Sequence, residues 1–209
     1  MYKRMDGTEE LVISDNVIKL STDDEHTAVM HIGEKYLMNK LAEIVTKNGG
    51  DILEIGFGMH LSADAIQSNT NVTSHTIVEI HPVQYEKALE WAKLQKIKTT
   101  VILGDWIDLL PLTNMKFDGV LHDTHLDPNI PKFLDYIVDN CKKGTIVGFF
   151  EFQKFDARLN GYRVNIPEAE YQTIPYKDNI SYKDNQFELK YTTFDGTQFK
   201  SDNKTTSLL

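Results

Sequence analysis

Four acidic residues lie within or directly after short apolar runs of this 209-residue chain: Glu54, Glu79, Asp105 and Asp123. A carboxylate at the end of a buried strand can accept hydrogen bonds from both hydroxyls of a ribose. Two carboxylates can also hold a cation and accept a proton from it. The separation of 25 residues between Glu54 and Glu79 matches one strand–helix–strand step, which predicts that both belong to the same ligand site.

Two glycines follow the first of these carboxylates in the pattern E-x-G-x-G, formed by Glu54, Gly56 and Gly58. Glycine permits a sharp reversal of the backbone and a close approach to a ligand, and the apolar spacing after the loop predicts a helix whose free N–H groups face that ligand. The third glycine of the dinucleotide-binding fingerprint is replaced by Leu61, which disfavours a pyrophosphate site. An ordinary strand-to-helix turn of another α/β protein is the alternative interpretation of this stretch.

Apolar, strand-like runs alternate with helical patterns at least four times along the first three quarters of the chain. This alternation predicts an α/β fold with a Rossmann-like, doubly wound and mostly parallel sheet. The predicted strands are 52–55, 75–80, 98–103, 117–123 and 145–152. Ligands of such sheets bind outside the carboxyl ends of the strands. The residues expected at that edge are Glu54 to Gly58, Glu79, Asp105, Trp106, His122 and Asp123.

The segments on either side of this alternation are predicted separately. Residues 1–25 contain two short apolar runs and are predicted to form a hairpin or flap that acts as a lid over the pocket. A helix is predicted over 25–47, with a break near Gly33, because apolar residues recur there at helical spacing. The main domain is expected to span 26–200, and the polar residues 201–209 are expected to fray.

Two further predictions concern the second half of the chain. Residues 142–144, with the sequence Lys-Lys-Gly, are predicted to form a turn that ends a helix. The strand–helix alternation fails after Gln153. Strand-like patterns over 171–174 and 187–194 then predict a terminal pair of strands at the edge of the sheet.

The composition limits the classes of partner. A formal net charge of −9 and a pI near 5.2 disfavour nucleic acid and favour a cationic ligand. The N-terminal residues contain no apolar signal-peptide core, and no run approaches the length of a membrane span, so we expect a cytoplasmic protein without a membrane partner. Cys141 is the single cysteine and has no second thiol at ligand spacing, so no metal site is predicted. The sequence leaves the oligomeric state open.

The glycine pattern, together with Glu79, resembles the first motifs of class I S-adenosylmethionine-dependent methyltransferases. Longer segments are similar to guanidinoacetate N-methyltransferase and its relatives, which include a fungal-type protein-arginine methyltransferase. The similarity covers roughly residues 25–150 and is strongest over 49–59 and 117–124. The segments that carry it are VMHIGEKYLM (29–38), GGDILEIGFGMH (49–60), HTIVEIHP (75–82) and FDGVLHDTHLDP (117–128).

This resemblance implies that the chain binds S-adenosylmethionine and that the glycine loop passes the methionine part of the cofactor. It also implies that Glu79 accepts the ribose hydroxyls and that Asp105 and Trp106 hold the adenine. Capping of the next helix is the alternative role for Glu79, and core packing is the alternative role for Trp106. The cofactor-binding residues implied are Glu54, Gly56, Phe57, Gly58, Met59, Glu79, Ile80, Asp105, Trp106 and Asp123.

The resemblance further implies that Glu34 and Asp123 are the catalytic residues. In the family, an acid in the helix before the glycine loop and the aspartate of a D-T element clasp the guanidinium of the substrate. A carboxylate pair would orient one nitrogen and accept the proton that it must lose before it attacks a methyl group. A solvated Glu34 and an Asp123 that caps the following turn are the alternatives. The predicted function is therefore N-methylation of a small cationic acceptor.

The chain also departs from the family. His125 and Leu126 replace a tyrosine and a proline after the D-T element, Lys35 stands beside Glu34, and Glu151 adds an acid after the fifth strand. The added acid argues against guanidinoacetate itself, so the acceptor is left as a guanidine or an amine. Three other outcomes stay open: aminopropyl transfer, cleavage or cyclisation of the cofactor, and a non-catalytic methyltransferase-like subunit.

Overall fold

The structure is a computed structural model that describes residues 5–22, 28–125, 130–150, 158–174, 182 and 185–200. The tail predicted over 201–209 lies outside these described residues. So do parts of the 1–25 segment and two of the departures from the family, Leu126 and Glu151.

The N-terminal residues form a small antiparallel sheet ahead of the main fold. Its strands are β1 (Leu11–Ile13), β2 (Val17–Leu20) and β3 (Met30–His31). β1 and β2 pair as a hairpin, and β2 also pairs with β3. A hairpin therefore does form within residues 1–25.

Eight strands build the main sheet: β4 (Gly50–Ile55), β5 (Val72–Glu79), β6 (Lys98–Leu103), β7 (Phe117–His122), β8 (Cys141–Phe149), β9 (Asn160–Asn165), β10 (Gln186–Phe194) and β11 (Phe199–Lys200). Their order is β11-β10-β8-β7-β4-β5-β6, and β9 also pairs with β10. The strands from β4 to β8 pair with one another in parallel, whereas β10 is antiparallel to β8, β9 and β11. The expected mostly parallel α/β sheet is confirmed.

Helices cover both faces of this sheet. They are α1 (Lys35–Val45), α2 (Leu61–Ser68), α3 (Pro82–Ala92), α4 (Trp106–Leu109), α5 (Ile130–Ile137) and α6 (Glu168–Tyr171), with 3-10 turns over Ile32–Glu34, Leu110–Leu112 and Val138–Asn140. Ile52 of β4 packs with α1 and α2, whereas the next residue, Leu53, packs with α4 and α5. Because neighbouring strand residues point to opposite faces, the sheet is doubly wound as predicted.

The helix predicted over 25–47 begins later than expected. α1 starts at Lys35, because β3 and a 3-10 turn precede it. The turn is capped in both directions: His31 Nδ1 accepts the Gly33 N–H at 2.9 Å, and Glu34 Oε1 accepts the His31 N–H at 3.0 Å. Strand pairing and this cap override the helical spacing of the apolar residues in the segment.

The turn predicted at 142–144 is wrong, because these residues belong to β8. The Lys142 ammonium donates to Asp118 at 2.6 Å and to Asp51 at 2.9 Å. This bridge joins the start of β8 to β7 and β4, so the chain continues as a strand where a helix end was expected.

The strand predicted at 171–174 is also wrong. Pro167 precedes α6, its carbonyl accepts the Tyr171 N–H at 2.9 Å, and a turn follows. The strand predicted over 187–194 is confirmed as β10, which begins one residue earlier. Its antiparallel partner β9 was not predicted.

Candidate functional site

The glycine loop joins β4 to α2 at the carboxyl edge of the sheet. Gly56 has a φ of +90°, and a Cβ there would lie 2.1 Å from the carbonyl oxygen of Asp123. Gly58 has a φ of +50°, and a Cβ there would lie 2.6 Å from the sulfur of Met30. A side chain at either position would displace its neighbours, so the close approach of the loop to β7 and β3 requires glycine.

Glu79 ends β5 and ties this strand to the glycine loop. One carboxylate oxygen accepts the Phe57 N–H at 2.8 Å, and the other accepts the His81 N–H at 2.7 Å. The residue is buried, and burial raises its pKa, whereas the backbone hydrogen bonds oppose the rise. Because a carboxylate has about four acceptor positions, Glu79 can accept further hydrogen bonds from a ligand.

A cavity of about 80 Å³ lies between the glycine loop, the end of β5 and the N-terminal sheet. Its lining comes from the ends of the parallel strands β4, β5, β6 and β7, which meet at one edge as expected. The structure therefore brings together most of the residues that the resemblance assigns to the cofactor. Those that line the cavity are Gly56, Gly58, Glu79, Ile80, Asp105, Trp106 and Asp123.

Three of the implied cofactor residues do not line this cavity. Phe57 and Met59 face an adjoining groove between α2 and α3. Glu54 is 0% exposed inside β4, and its carboxylate lies 2.9 Å from His75 Nε2 and accepts a hydrogen bond from the Ser62 hydroxyl. Glu54 therefore supports the strand–loop–helix unit from within the fold.

Glu34 is buried, with 3% exposure, so the solvated carboxylate considered from the sequence is not observed. Tyr182 lies near it: burial raises the pKa of Tyr182, and the negative charge of Glu34 adds to the rise. Glu34 does not line the cavity, although Met30, four residues earlier, does. The structure therefore places the two proposed catalytic acids differently, with Asp123 in the lining and Glu34 outside it.

Asp105 and Trp106 hold their positions through the start of α4. Asp105 Oδ1 accepts the Ile107 N–H at 3.0 Å and so caps this short helix. Trp106 lines the cavity, yet it is only 2% exposed and packs edge-to-face on Phe133, with ring centroids 5.0 Å apart. Core packing and cavity lining, the two roles considered for Trp106, therefore occur together.

Two polar residues of the lining were not among the predicted site residues. Gln84 lies in the first turn of α3, and Thr124 follows Asp123. Gln84 Oε1 and Thr124 Oγ1 are buried atoms that have no hydrogen-bond partner within the described part of the chain. The sequence signal that could have identified Gln84 and Thr124 is their position shortly after the predicted strands 75–80 and 117–123.

The N-terminal sheet covers the cavity, and Ile18 of β2 forms part of the lining. His81 Nδ1 accepts the Val83 N–H at 3.2 Å, so Nε2 carries the ring hydrogen and donates it to the Glu9 carbonyl at 2.8 Å. This hydrogen bond connects the segment before β1 to the loop that follows Glu79.

Among the side chains that the structure describes, no group of three or more His, Cys, Asp or Glu is arranged to hold a metal ion. None of the described helices is long and apolar enough to cross a membrane.

A family model described as guanidinoacetate N-methyltransferase matches residues 19–131, which is more than half of the chain. Protein arginine N-methyltransferase 2 of Yarrowia lipolytica is 27% identical over 191 residues. That match covers 81% of this chain and 40% of the relative. The chain therefore spans about two fifths of the length of this relative.

Solved structures share the fold. A putative O-methyltransferase from Klebsiella pneumoniae gives a TM-score of 0.51 at 14% identity, covering 82% of this chain and 83% of that chain. The spermidine synthase of Thermotoga maritima gives a TM-score of 0.57 at 10% identity, covering 91% of this chain and 73% of that chain. At these identities the likeness shows the class I methyltransferase fold and nothing about the reaction.

Proposed function

This chain belongs to the guanidinoacetate N-methyltransferase family, and we propose that it methylates a nitrogen atom of a small cationic acceptor, a guanidine or an amine. S-adenosylmethionine, the cofactor of this family of methyltransferases, supplies a methyl group on a positively charged sulfur when it is bound. The observation that supports the proposal most directly is that Asp123 and Glu79 line one cavity beside the glycine loop. Glu79 can therefore bind the cofactor while Asp123 binds the acceptor in the same cavity.

The described residues fit this cofactor in three respects. Gly56 and Gly58 form a loop whose backbone lies open to a ligand at the start of α2. Glu79 offers carboxylate oxygens to the ribose hydroxyls, and its backbone hydrogen bonds keep it in place before the ligand arrives. Asp105 and Trp106 stand at the end of the next strand, where they hold the adenine.

Asp123 and Glu34 are the acceptor-binding and catalytic pair in this proposal. A protonated guanidinium or ammonium has no nitrogen lone pair available for attack, so it must lose a proton. Asp123 anchors the cation at the cavity and accepts that proton at a carboxylate oxygen. Glu34, which accepts the His31 N–H and lies outside the cavity lining, is the second acid of the proposal, and it orients the same cation when the segment that follows β3 shifts on ligand binding. The net charge of −9 also favours a cationic acceptor.

Residues 1–25 act as the lid in this proposal. The cavity of about 80 Å³ is smaller than the roughly 300–1,000 Å³ of typical small-molecule pockets. In this proposal the hairpin of β1 and β2 moves aside when ligands enter and excludes water when it closes again. Limited proteolysis tests this: equal cleavage of the segment with and without S-adenosylhomocysteine would count against a lid.

A panel of small guanidines, amines and amino acids tests the reaction and identifies the acceptor. Asp123→Asn and Glu34→Gln keep the shape of each side chain but remove its charge. Each variant should lower methylation by about 100-fold or more, the scale of a lost acid–base group, while affinity for S-adenosylhomocysteine changes only a few-fold. Asp139→Asn is the matched control, because this exposed acid precedes β8 at the opposite edge of the sheet, and it should keep full turnover.

Full turnover by Asp123→Asn on the acceptor that emerges would contradict the assignment of this residue. Mass spectrometry of the products separates the other possible outcomes. Products formed from the cofactor alone would indicate cleavage or cyclisation, and an added aminopropyl group would indicate the other transfer reaction. Cofactor binding without turnover of any panel member would indicate a non-catalytic subunit.

A further inference from the structure

Gln84 reaches the glycine loop from the first turn of α3. It lines the cavity and is 4% exposed, and its Nε2 donates to the carbonyl oxygen of Gly58 at 3.3 Å. Glu79 accepts the N–H of Phe57, the residue directly before Gly58. The two side chains therefore extend from the junction of β5 and α3 to consecutive residues of the same loop.

The oxygen of the Gln84 amide is a buried acceptor without a donor. Oε1 has no hydrogen-bond partner within the described ranges of the chain. Rotating the amide by half a turn would place Oε1 against the carbonyl oxygen of Gly58, so two acceptors would face each other. The observed orientation is therefore the favoured one. A buried acceptor without a donor is destabilising, which is the situation expected where a ligand supplies the donor.

We propose that Gln84 Oε1 accepts a hydrogen bond from one ribose hydroxyl of S-adenosylmethionine, while the neighbouring hydroxyl donates to Glu79. A vicinal diol presents two O–H donors from neighbouring carbon atoms, and Glu79 and Gln84 offer two acceptors in one cavity from side chains that bond consecutive residues of the glycine loop. Both oxygens of Glu79 already accept backbone N–H groups, whereas Gln84 Oε1 accepts none among the described residues. This inference rests on the cofactor role proposed above for Glu79.

The kinetic consequence follows from the chemistry of the ribose. Its hydroxyls are unchanged by methyl transfer, so Gln84 binds cofactor and product equally well. An interaction of this kind lowers the KM for the cofactor without changing kcat. Gln84 is therefore a cofactor-binding residue, and its loss should leave the maximal rate intact.

Calorimetric titration with S-adenosylhomocysteine tests the proposal. Gln84→Met, which keeps much of the side-chain volume, should raise the Kd by about tenfold, corresponding to one hydrogen bond of about 1.4 kcal/mol. Gln95→Met is the matched control. Gln95 also donates Nε2 to a backbone carbonyl, that of Trp91 at 2.9 Å, but it lies beyond the end of α3 and does not line the cavity. This control should keep the wild-type Kd within about twofold.

Analogues of S-adenosylhomocysteine distinguish a direct contact from an effect on the loop. One of the two analogues, 2′-deoxy or 3′-deoxy, lacks the hydroxyl that donates to Gln84, and the wild-type protein should bind it about tenfold more weakly than S-adenosylhomocysteine. With this analogue, Gln84→Met should cause no further loss of affinity. With an analogue that lacks the amino group, Gln84→Met should still cause its full loss. Equal losses with all analogues would overturn the proposal, because Gln84 would then act only through Gly58.

Two other results separate this inference from the function on which it rests. If neither deoxy analogue binds the wild-type protein more weakly, the ribose roles of Glu79 and Gln84 both fail. If a deoxy analogue binds more weakly but Gln84→Met keeps full affinity for S-adenosylhomocysteine, only the inference about Gln84 fails. Gln84→Ala repeats the test if thermal unfolding shows that the methionine variant is not folded.

Discussion

Replacing Glu54 by alanine should destabilise the folded protein strongly, although the residue touches no part of the cavity. Glu54 and His75 are both 0% exposed, and their side chains lie 2.9 Å apart. Ser62, the second residue of α2, donates its hydroxyl hydrogen to the same carboxylate. One carboxylate therefore joins β4, β5 and the helix that follows the glycine loop.

The hydrogen bonds around His75 determine which of its two ring nitrogens carries the hydrogen. Gln67 Oε1 accepts the Ile97 N–H at 3.2 Å, so the amide nitrogen of Gln67 faces His75 Nδ1 at 3.3 Å. Nδ1 is then an acceptor, and Nε2, 2.9 Å from the Glu54 carboxylate, carries the ring hydrogen. The carboxylate therefore accepts a hydrogen bond from Ser62 and lies against a second buried donor, the N–H of His75.

The magnitude follows from this count. Alanine would leave the Ser62 hydroxyl without its acceptor and the buried His75 Nε2–H without the adjacent carboxylate, at about 1–3 kcal/mol each. The sum of about 2–6 kcal/mol brackets the usual cost of removing one partner of a buried pair, about 3–5 kcal/mol, and we take that narrower range. For a chain of this length each kcal/mol lowers Tm by about 2–4 °C, so we expect a decrease of about 6–20 °C.

Glutamine at position 54 supplies the internal comparison. Its carbonyl oxygen can accept from His75, and its amide can donate to the Ser62 oxygen, so Glu54→Gln should cost only about 1–2 kcal/mol. Urea unfolding followed by circular dichroism measures both variants, and calorimetry measures S-adenosylhomocysteine binding to the folded fraction. A folded Glu54→Gln with wild-type stability but greatly weakened cofactor binding would refute the reasoning, because Glu54 would then contact the ligand.

Three further predictions concern residues away from this network. Hydrogen bonds from Ser74 and then Lys142 lower the pKa of Asp51 to about 2. Because the side chain is 38% exposed, Asp51→Asn should lower the free energy of unfolding by only about 1 kcal/mol at pH 7. In urea unfolding, this difference from the wild-type protein should vanish as the pH falls from about 4 towards 2, where Asp51 becomes protonated. Trp106→Ala should cost about 3–5 kcal/mol in the same assay and weaken S-adenosylhomocysteine binding, because the ring belongs to both core and cavity. Burial raises the pKa of Cys141 to about 12, so a thiol reagent at pH 8 should modify the native protein at least about 100-fold more slowly than the denatured one.

The fold was predictable because its determinants are local. Alternating apolar runs and helical patterns identify each strand and helix within a window of a few residues, and parallel strands then bring their carboxyl ends to one edge. Gly56, Glu79, Asp105 and Asp123 were placed at that edge from their positions after strands, and all four line the cavity. The family was likewise indicated by contiguous motifs, and the match over residues 19–131 confirms it.

Two of the wrong predictions occur where a local pattern met a distant partner. The pattern before the glycine loop is helical, yet β3 forms because β2 supplies a neighbouring strand. Residues 142–144 resemble a helix-ending turn, yet Lys142 finds Asp51 and Asp118 on two other strands. Each partner lies more than ten residues away in the chain, so no short window contains the interaction.

By itself, the sequence determined the alternation of strands and helices from β4 to β8, the edge of the sheet at which the cavity lies and the family, because each depends on periodicity or on contiguous motifs. Only the tertiary structure decided which acids line the cavity. Glu54 and Glu79 both lie in strands next to the glycine loop, yet His75 and Ser62 enclose the first, whereas the second lines the cavity. It also decided that Gln84 enters the site, since burial and hydrogen bonding depend on distances between residues that are remote in the chain.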